Sequence, residues 1–151
     1  RIRINGMEAD DEAISSAFSA VEKAREAVSL TYFEFSTLAA VKCFVDSKVD
    51  IAILEVGLGG RLDAVNLFDP DCSVIAAIDF DHMDYLGHTR EAIGFEKAGI
   101  MRRGKPAICS DPDIPKSVLD HATRIGARLL RIGRDFGYES HDDSWDYHGR
   151  S

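Results

Sequence analysis

An acidic residue followed directly by a glycine-rich turn is the feature of this 151-residue sequence with the clearest chemical meaning. Glu55 follows the largely apolar segment 49–54 (VDIAIL), and a Gly-x-Gly-Gly turn occupies 57–60. The β-branched, apolar segment predicts a buried strand over 50–56. A carboxylate at the carboxyl end of such a strand lies where open α/β folds bind ligands, commonly Mg²⁺ beside nucleotide phosphates. We therefore predict that Glu55 is a metal ligand and that the glycines let the backbone lie close to a ligand.

An exposed acid at a strand end is the alternative explanation of Glu55, and such acids are common. The position directly before the glycine turn favours a metal-binding or water-positioning role. The glycines alone say little, because Leu62 stands where the dinucleotide-binding fingerprint requires its third glycine.

A second group of polar residues, Asp81-His82-x-Asp84, follows the apolar segment 73–78. That segment predicts another strand, so this group also lies at a carboxyl end and could face the same crevice as Glu55. His82 could bind a metal through one ring nitrogen while a carboxylate orients the other. A solvated acidic loop explains the motif slightly better when it is taken alone. Our hypothesis is that Glu55 and His82 hold one divalent cation.

A lysine on an apolar helix face is the third candidate. In the helix predicted over 90–101, Ile93, Lys97 and Ile100 share one face. Desolvation favours the neutral amine, which could react with CO₂ to form a carbamate and so supply an extra metal-binding carboxylate. On periodicity alone the better explanation is a lysine that reaches solvent or pairs with an acid.

The segment Thr31-Tyr32-Phe33-Glu34 opens a predicted helix. Thr31 as N-cap and Glu34 three residues later form a capping box, which needs no ligand. The capping box does not explain the two aromatic residues, which could form a wall for a flat ring.

Asp63 and Asn66 follow the glycine turn. They could cap a local turn or point into the crevice, and the sequence favours neither.

The elements that would position these residues alternate along the chain. Helices are predicted over 9–28, 33–48, 90–101 and 114–125, and strands over 50–56, 73–78, 105–109 and 127–132. Residues 79–88 are predicted as a polar loop, 136–139 and 145–148 as a hairpin, and 1–6 as the tail of a strand and a turn. This order predicts an α/β fold with a mainly parallel sheet flanked by helices on both faces.

Composition narrows the function classes. The formal net charge of −8 argues against a nonspecific nucleic-acid or anionic-membrane binder. No apolar stretch is long enough to span a bilayer, and no signal peptide is visible. Three widely spaced cysteines predict small buried thiols in a reducing cytosol, so we expect a cytoplasmic protein. Because the first residue is not Met, we expect a fragment or a processed product.

Four stretches together resemble one known family. LTYFEFSTLAA (30–40), ILEVGLGGRLDAVN (53–66), DHMDYLG (81–87) and EKAGIMRRGKPAI (96–108) look like folylpolyglutamate synthase/dihydrofolate synthase, of the ATP-dependent Mur ligase superfamily. The resemblance runs in order from residue 1 to about residue 145. It implies that ATP phosphorylates the carboxylate of dihydropteroate or a folate, and that the amine of L-glutamate attacks the acyl phosphate to form an amide.

The resemblance also implies roles for particular residues. Glu55 and His82 match Mg²⁺ ligands, and Lys97 matches a carbamylated lysine that helps to hold a second Mg²⁺. Local patterns favoured a solvated loop around His82 and a lysine at 97 that reaches solvent or pairs with an acid. The resemblance instead favours a metal-binding role for both residues. The pteroate-binding positions match Thr31, Tyr32, Phe33 and Glu34, and then Leu62, Asp63 and Ala64.

The sequence also departs from the family. It contains no G-x-x-x-x-G-K-[ST] motif, so the main phosphate-binding loop lies outside it. The family's Ser-Pro-His stretch and glutamate-binding C-terminal domain are missing too. Tyr85 stands where the family usually has Trp, and Asp79 where it has a small residue. Residues 1–151 are therefore predicted to be part of a central ATPase domain.

Such a part should be inactive alone. We expect the parent to be a monomer and the isolated chain to self-associate through exposed sheet edges. The alternatives are a peptidoglycan-precursor ligase of the same superfamily, against which TYFEF and GLGGRLDA argue, and a noncatalytic binding module on the same scaffold.

Overall fold

Residues 2–80 and 82–149 are described by a computed structural model. Asp81, from the predicted acidic motif, and Arg1, from the predicted strand tail, lie outside the described residues. The chain divides into two units, Arg1–Glu55 and Val56–Ser151.

The first unit consists of a small hairpin and two helices. Strands β1 (Arg3–Ile4) and β2 (Met7–Glu8) pair antiparallel, and α1 (Asp11–Arg25) and α2 (Tyr32–Asp46) follow. Both helices begin at side-chain caps, at Asp10 and Thr31. The apolar faces of the helices pack together around a small core of Ala17, Val21, Ala39 and Cys43. The predicted helices over 9–28 and 33–48 are thus confirmed with shorter bounds.

The strand predicted over 50–56 is wrong. No residue from Ile51 to Val56 takes part in a described β-ladder, and Ile51 and Ile53 are 80% and 87% exposed. A strand needs a neighbour to which its N–H and C=O groups can bond. None of the described strands provides one here, so β-propensity alone does not make this segment a strand.

The second unit is built on a parallel three-stranded sheet in the order β3-β4-β5 (Ser73–Ile75, Pro106–Cys109 and Arg128–Arg131). A 3-10 helix (Ala64–Leu67) precedes the sheet. Helices α3 (Met83–Leu86) and α4 (Arg90–Ala98) connect β3 to β4, and α5 (Lys116–Ile125) connects β4 to β5. A hairpin of β6 (Phe136–Ser140) and β7 (Trp145–Gly149) comes last. These elements confirm the α/β class, the parallel sheet and the hairpin.

Helices α4 and α5 bury one face of this sheet. Ile93 of α4, Val118 of α5 and Cys109 of β4 are fully buried in one core. Glu91 of α4 also caps α5, because its carboxylate accepts the N–H groups of Lys116 and Ser117 at 2.9 and 2.7 Å. In β3, by contrast, Val74 is exposed between buried neighbours. Helices therefore flank the sheet, as expected, and α4 and α5 bury one face of it within this unit.

The cysteines do not behave alike. All three are free thiols, but only Cys43 and Cys109 are buried, whereas Cys72 is exposed. Burial raises the pKa of the Cys43 and Cys109 thiols. No helix among the described residues has the length and apolar character needed to cross a membrane.

Candidate functional site

The glycine turn packs directly against the end of α4. A Cβ atom at Gly60 would lie 2.9 Å from Cγ2 of Ile100 and 3.0 Å from the carbonyl oxygen of Glu96. Gly99 approaches the turn from the other side, where an added Cβ would lie 2.7 Å from Cα of Arg61. At Gly60 and Gly99, glycine thus permits close contact between two backbone segments. The close approach of the turn to a ligand stays a prediction.

Arg61 fixes the turn to α4 by charge as well as by shape. Its N–H donates to the carbonyl oxygen of Glu96 at 2.9 Å, and its guanidinium contacts both carboxylate oxygens of Glu96 at 3.0–3.2 Å. The guanidinium also lies 5.5 Å from the ring centroid of Phe95. Glu96 is the residue before Lys97, so this contact fixes the backbone that carries the lysine. The sequence analysis missed both residues, although an arginine after the turn and an acid beside Lys97 were a visible signal.

Asp63 acts as a local cap. One carboxylate oxygen, Oδ2, accepts the N–H groups of Gly57 and Leu58 at 3.0 and 2.9 Å, and Oδ1 accepts that of Val65 at 2.9 Å. The side chain therefore closes the glycine turn and opens the 3-10 helix that begins at Ala64. Of the two possibilities left open for Asp63, the structure selects the local turn.

Asn66 is also bound locally. Its Nδ2 donates to the carbonyl oxygens of Arg61 and Gly99 at 3.0 and 3.2 Å, and its Oδ1 accepts from Arg102 at 3.0 Å. Leu62, in contrast, exposes most of its apolar side chain. Leu62 therefore offers free apolar surface next to the fixed turn.

His82 has an unusual backbone conformation. With φ 49° and ψ 40° it lies in the left-handed region, directly before α3, and its side chain is exposed. A non-glycine residue there costs on the order of 1–3 kcal/mol, and such residues cluster at functional sites. The His82 carbonyl oxygen accepts the N–H groups of Tyr85 and Leu86 at 2.9 and 3.0 Å, which helps to hold the conformation. The predicted loop over 79–88 thus contains a short helix.

The base of this loop is held by an ion pair between the partly exposed Arg90 and the buried Asp111, which the sequence analysis did not detect. Arg90 Nη2 contacts Asp111 Oδ2 at 2.9 Å, and the two side chains bind the backbone of Ile78. Burial opposes ionisation of Asp111, but hydrogen bonds from Ile78, Asp113 and Arg90 still hold its pKa below the ordinary value. Asp111 follows β4, so its place at a strand's carboxyl end was a signal in the sequence.

Lys97 is half-buried in the last turn of α4. Ile93 on the same helix is fully buried, whereas Ile100 lies beyond the helix end. Among the described residues of the second unit, no carboxylate forms an ion pair with the Lys97 ammonium. The alternative of a lysine paired with an acid therefore finds no support within this unit.

In the first unit, the predicted capping box at the start of α2 is confirmed. Thr31 Oγ1 accepts the N–H of Glu34 at 3.2 Å, and Glu34 accepts the N–H and hydroxyl of Thr31 at 2.7 and 2.8 Å. The backbone hydrogen bond from Thr31 lowers the pKa of Glu34. Tyr32 is 87% exposed and Phe33 is partly exposed. Both rings therefore remain accessible to a ligand.

The metal-binding side chains suit an ion that also binds phosphate oxygens and water. Within residues 2–80 and 82–149, no three His, Cys, Asp or Glu side chains are grouped to hold a metal ion. Mg²⁺ usually takes one or two carboxylates together with phosphate oxygens and water, and imidazole suits several divalent metals. Glu55 in the first unit has an exposed carboxylate and His82 in the second unit an exposed imidazole, and each is a donor of this kind. Their convergence on one ion stays a prediction.

The parallel sheet and the polar loop at its carboxyl edge define a recognised class of domain. Residues 10–148 match the Mur ligase middle domain, and the chain belongs to this family. It is 47% identical to the dihydrofolate synthase/folylpolyglutamate synthase of Escherichia coli, over 99% of this chain and 36% of that protein. The chain thus spans about a third of the length of this relative.

Solved structures give the same result. The chain superimposes on the E. coli enzyme FolC in complex with DHPP and ADP with a TM-score of 0.95 at 46% identity, covering 97% of this chain and 36% of that one. For the bifunctional folylpolyglutamate synthase/dihydrofolate synthase of Yersinia pestis, complexed with AMPPNP and a Mn ion, the TM-score is 0.91 at 46% identity with the same coverage. The suspected family is therefore confirmed.

The contact between Gly99 and Arg61 leads to a stability prediction. Gly99 has φ −61°, which any residue adopts, so only the close approach of Arg61 demands glycine. Gly99→Ala is expected to destabilise the chain by about 1–3 kcal/mol through overpacking, as measured by urea denaturation. Gly104→Ala is the control, because its Cβ would meet nothing and only its φ of +72° opposes alanine. A Gly99→Ala variant that is as stable as the unchanged protein would show that the contact is unimportant.

Proposed function

We propose that this chain is part of an ATP-dependent ligase that adds L-glutamate to dihydropteroate or tetrahydrofolate through an acyl-phosphate intermediate. The observation that carries the proposal is the similarity to the E. coli dihydrofolate synthase/folylpolyglutamate synthase over nearly the whole chain. The motifs at 30–40, 53–66, 81–87 and 96–108 lie within the matched region. Residues 1–151 would form part of the central ATPase domain, with the phosphate-binding loop and glutamate-binding domain in other segments of a cytoplasmic, monomeric enzyme.

In this proposal the chain provides metal ligands near the nucleotide. Glu55 and His82 would hold Mg²⁺, and Lys97 as its carbamate would hold a second ion. Bound Mg²⁺ would neutralise charge on the phosphates of ATP during transfer to the substrate carboxylate. The left-handed backbone of His82 supports a functional role for that loop. The closed contact between the glycine turn and α4 supports a fixed position for Lys97.

The folate substrate would lie against exposed apolar side chains. Tyr32 and Phe33 have accessible rings, and Leu62 exposes an aliphatic side chain beside the rigid glycine turn. A flat pteridine ring can stack on such surfaces. Thr31 and Glu34, through the capping box, and Asp63 and Ala64, through the turn cap, would set the positions of these three side chains.

The proposal can be tested in a chimaera in which this chain replaces the matching 36% of the E. coli enzyme. We call this protein the chimaeric ligase. It should form the glutamate amide of dihydropteroate with ATP and Mg²⁺, as measured by ADP release and product chromatography. A folded chimaera that makes no such product would contradict the proposed function.

The metal assignment is tested by single substitutions in the chimaeric ligase. Glu55→Ala and His82→Ala are each expected to lower the rate by about 100-fold or more, because each removes a group that holds charge-neutralising metal. The matched controls are Glu139→Gln and His88→Ala, which change an exposed acid and an exposed histidine. If Glu55→Ala or His82→Ala keeps the rate of its control, that residue is not a metal ligand.

A further inference from the structure

We propose that Arg90 and Asp111 are positioning residues that clamp the base of the loop 79–89 and so hold His82 in place for its metal. The inference rests on the proposed function, because a fixed loop conformation serves the reaction only if His82 is a metal ligand. The sequence analysis selected neither residue, although Asp111 follows the end of β4. The inference comes from the contacts that the two side chains make in the second unit.

Both residues bind the peptide groups of Ile78, just before the loop. The Ile78 N–H donates to Asp111 Oδ2 at 2.6 Å, and the Ile78 carbonyl oxygen accepts from Arg90 Nε at 2.8 Å. Ile78 lies three residues beyond the end of β3 at Ile75, where no described strand bonds to it. The two side chains thus take over the role of a neighbouring strand at this point.

The clamp joins the two ends of the loop. Ile78 precedes residue 79, and Arg90 follows residue 89 as the first residue of α4. Arg90 therefore closes the loop across its base when it donates to the Ile78 carbonyl oxygen. His82 lies inside the closed segment in a left-handed conformation that an isolated chain would rarely adopt. Strained conformations persist where their surroundings fix them, and a closed base is one such constraint.

The pair is held on several sides. Arg90 also donates to Asp113, through Nη1 to its carboxylate at 2.7 Å and through Nη2 to its carbonyl oxygen at 2.8 Å. Asp111 accepts the N–H of Asp113 through Oδ1 at 2.8 Å and is only 3% exposed. An ion pair with a buried carboxylate often adds little net stability, because desolvation of the carboxylate offsets the attraction. Its better-supported use is to select one conformation, which is the role assigned here.

The same contacts argue against direct catalysis. Each of the nitrogens Nε, Nη1 and Nη2 of Arg90 already donates to a protein oxygen, and both oxygens of Asp111 are occupied. Arg90 directs four hydrogen bonds to protein oxygens and the Asp111 carboxylate is buried, so the protein itself engages most of both charged groups. Their effect on the reaction must therefore pass through the loop.

The test uses Asp111→Asn and Arg90→Lys in the chimaeric ligase, with Mn²⁺ alone as the metal probe. Asp111→Asn removes the charge but keeps the shape, and Arg90→Lys keeps the charge but removes the planar donor set. The control is Asp71→Asn, which breaks the exposed Lys105–Asp71 ion pair (2.7 Å) at the opposite, amino-terminal side of β3.

Two measurements separate positioning from a general structural role. We expect both clamp variants to raise the Mn²⁺ concentration for half-maximal activity by about tenfold or more, as for other residues that orient metal ligands. Without metal or nucleotide, amide hydrogen exchange in 79–89 should accelerate by about tenfold, while exchange in the hairpin 136–149 and all properties of Asp71→Asn stay unchanged. A melting temperature that falls without a change in Mn²⁺ dependence or loop exchange would overturn the inference.

Failure of the proposed function gives a different result. A folded but inactive chimaera would contradict the proposed function. It would also make the Mn²⁺ dependence of activity impossible to measure. Hydrogen exchange would still decide whether the clamp holds the loop. If one clamp variant does not fold, the other decides alone: unchanged loop exchange in a folded variant contradicts the clamp.

Discussion

Replacing Lys97 with alanine in the chimaeric ligase is expected to lower the rate of glutamate ligation by about 100-fold or more. A carbamate on Lys97 would place a negative charge beside the metal, and alanine removes both the charge and the ligand atoms. Arg61, Glu96 and the close approach at Gly99 hold the end of α4 in one position. A metal-binding group on Lys97 would therefore be held in one position, so its removal should lower the rate strongly.

Three comparisons identify the cause of the loss. Lys97→Arg keeps a cation but cannot form the carbamate, so it should be as inactive as Lys97→Ala. Added acetate or formate should restore part of the Lys97→Ala rate by filling the vacant anionic position. Lys116→Ala, at an exposed lysine on α5, should keep the full rate.

A direct measurement of the carbamate complements the rates. With ¹³C-labelled bicarbonate, the carbamate carbon of the chimaeric ligase should give an NMR signal that is absent in Lys97→Arg. In the isolated 151-residue chain we expect an unmodified ammonium and no signal, because a carbamate persists only when positive groups stabilise it. A chimaeric ligase that tolerates Lys97→Ala at full rate would restore the explanation of a lysine that merely reaches solvent.

The isolated 151-residue chain is expected to show no turnover, neither ATP hydrolysis nor addition of glutamate to dihydropteroate. Catalysis of phosphoryl transfer consists almost entirely of positioning the phosphates and their metal. The sequence contains no G-x-x-x-x-G-K-[ST] loop to do this. Phosphate release from ATP with Mg²⁺, L-glutamate and dihydropteroate should therefore equal that of a blank without protein.

The same residues should become active when the missing segments are restored, so the chimaeric ligase serves as the positive control. Turnover by the isolated chain that disappears in Glu55→Ala would show that the chain carries a complete site. Turnover that survives Glu55→Ala would indicate a contaminating ATPase.

The features that the sequence predicted well depend on neighbours along the chain. The capping box of Thr31 and Glu34 joins residues three apart, so local geometry fixes it. The hairpin of β6 and β7 joins segments that are close in the chain, and the alternation of helical with strand segments follows from the hydrophobic pattern within each segment. The similarity to dihydrofolate synthase/folylpolyglutamate synthase also lies in short contiguous motifs, which is why the family could be suggested from the sequence alone.

The features that the sequence left open or misjudged depend on partners far away in the chain. Asn66 could cap a turn or face a crevice until the fold placed the carbonyl oxygen of Gly99 beside its side-chain amide. The packing of Gly60 against Ile100 and the backbone of α4 was also not visible in the sequence. The apolar segment 50–56 has strand propensity, yet no described strand bonds to it.

The clamp of Arg90 and Asp111 is the clearest example of a feature that the sequence did not reveal. The two residues are 21 positions apart and meet only because α4 and β4 pack around the end of β3. By itself the sequence determined the α/β class, the helix caps and the motifs that name the family, since these follow from propensity and short spacings. Which carboxylates hold backbone and which remain free for a ligand was decided only by tertiary structure, because a hydrogen bond between distant residues forms only when packing brings them within about 3 Å.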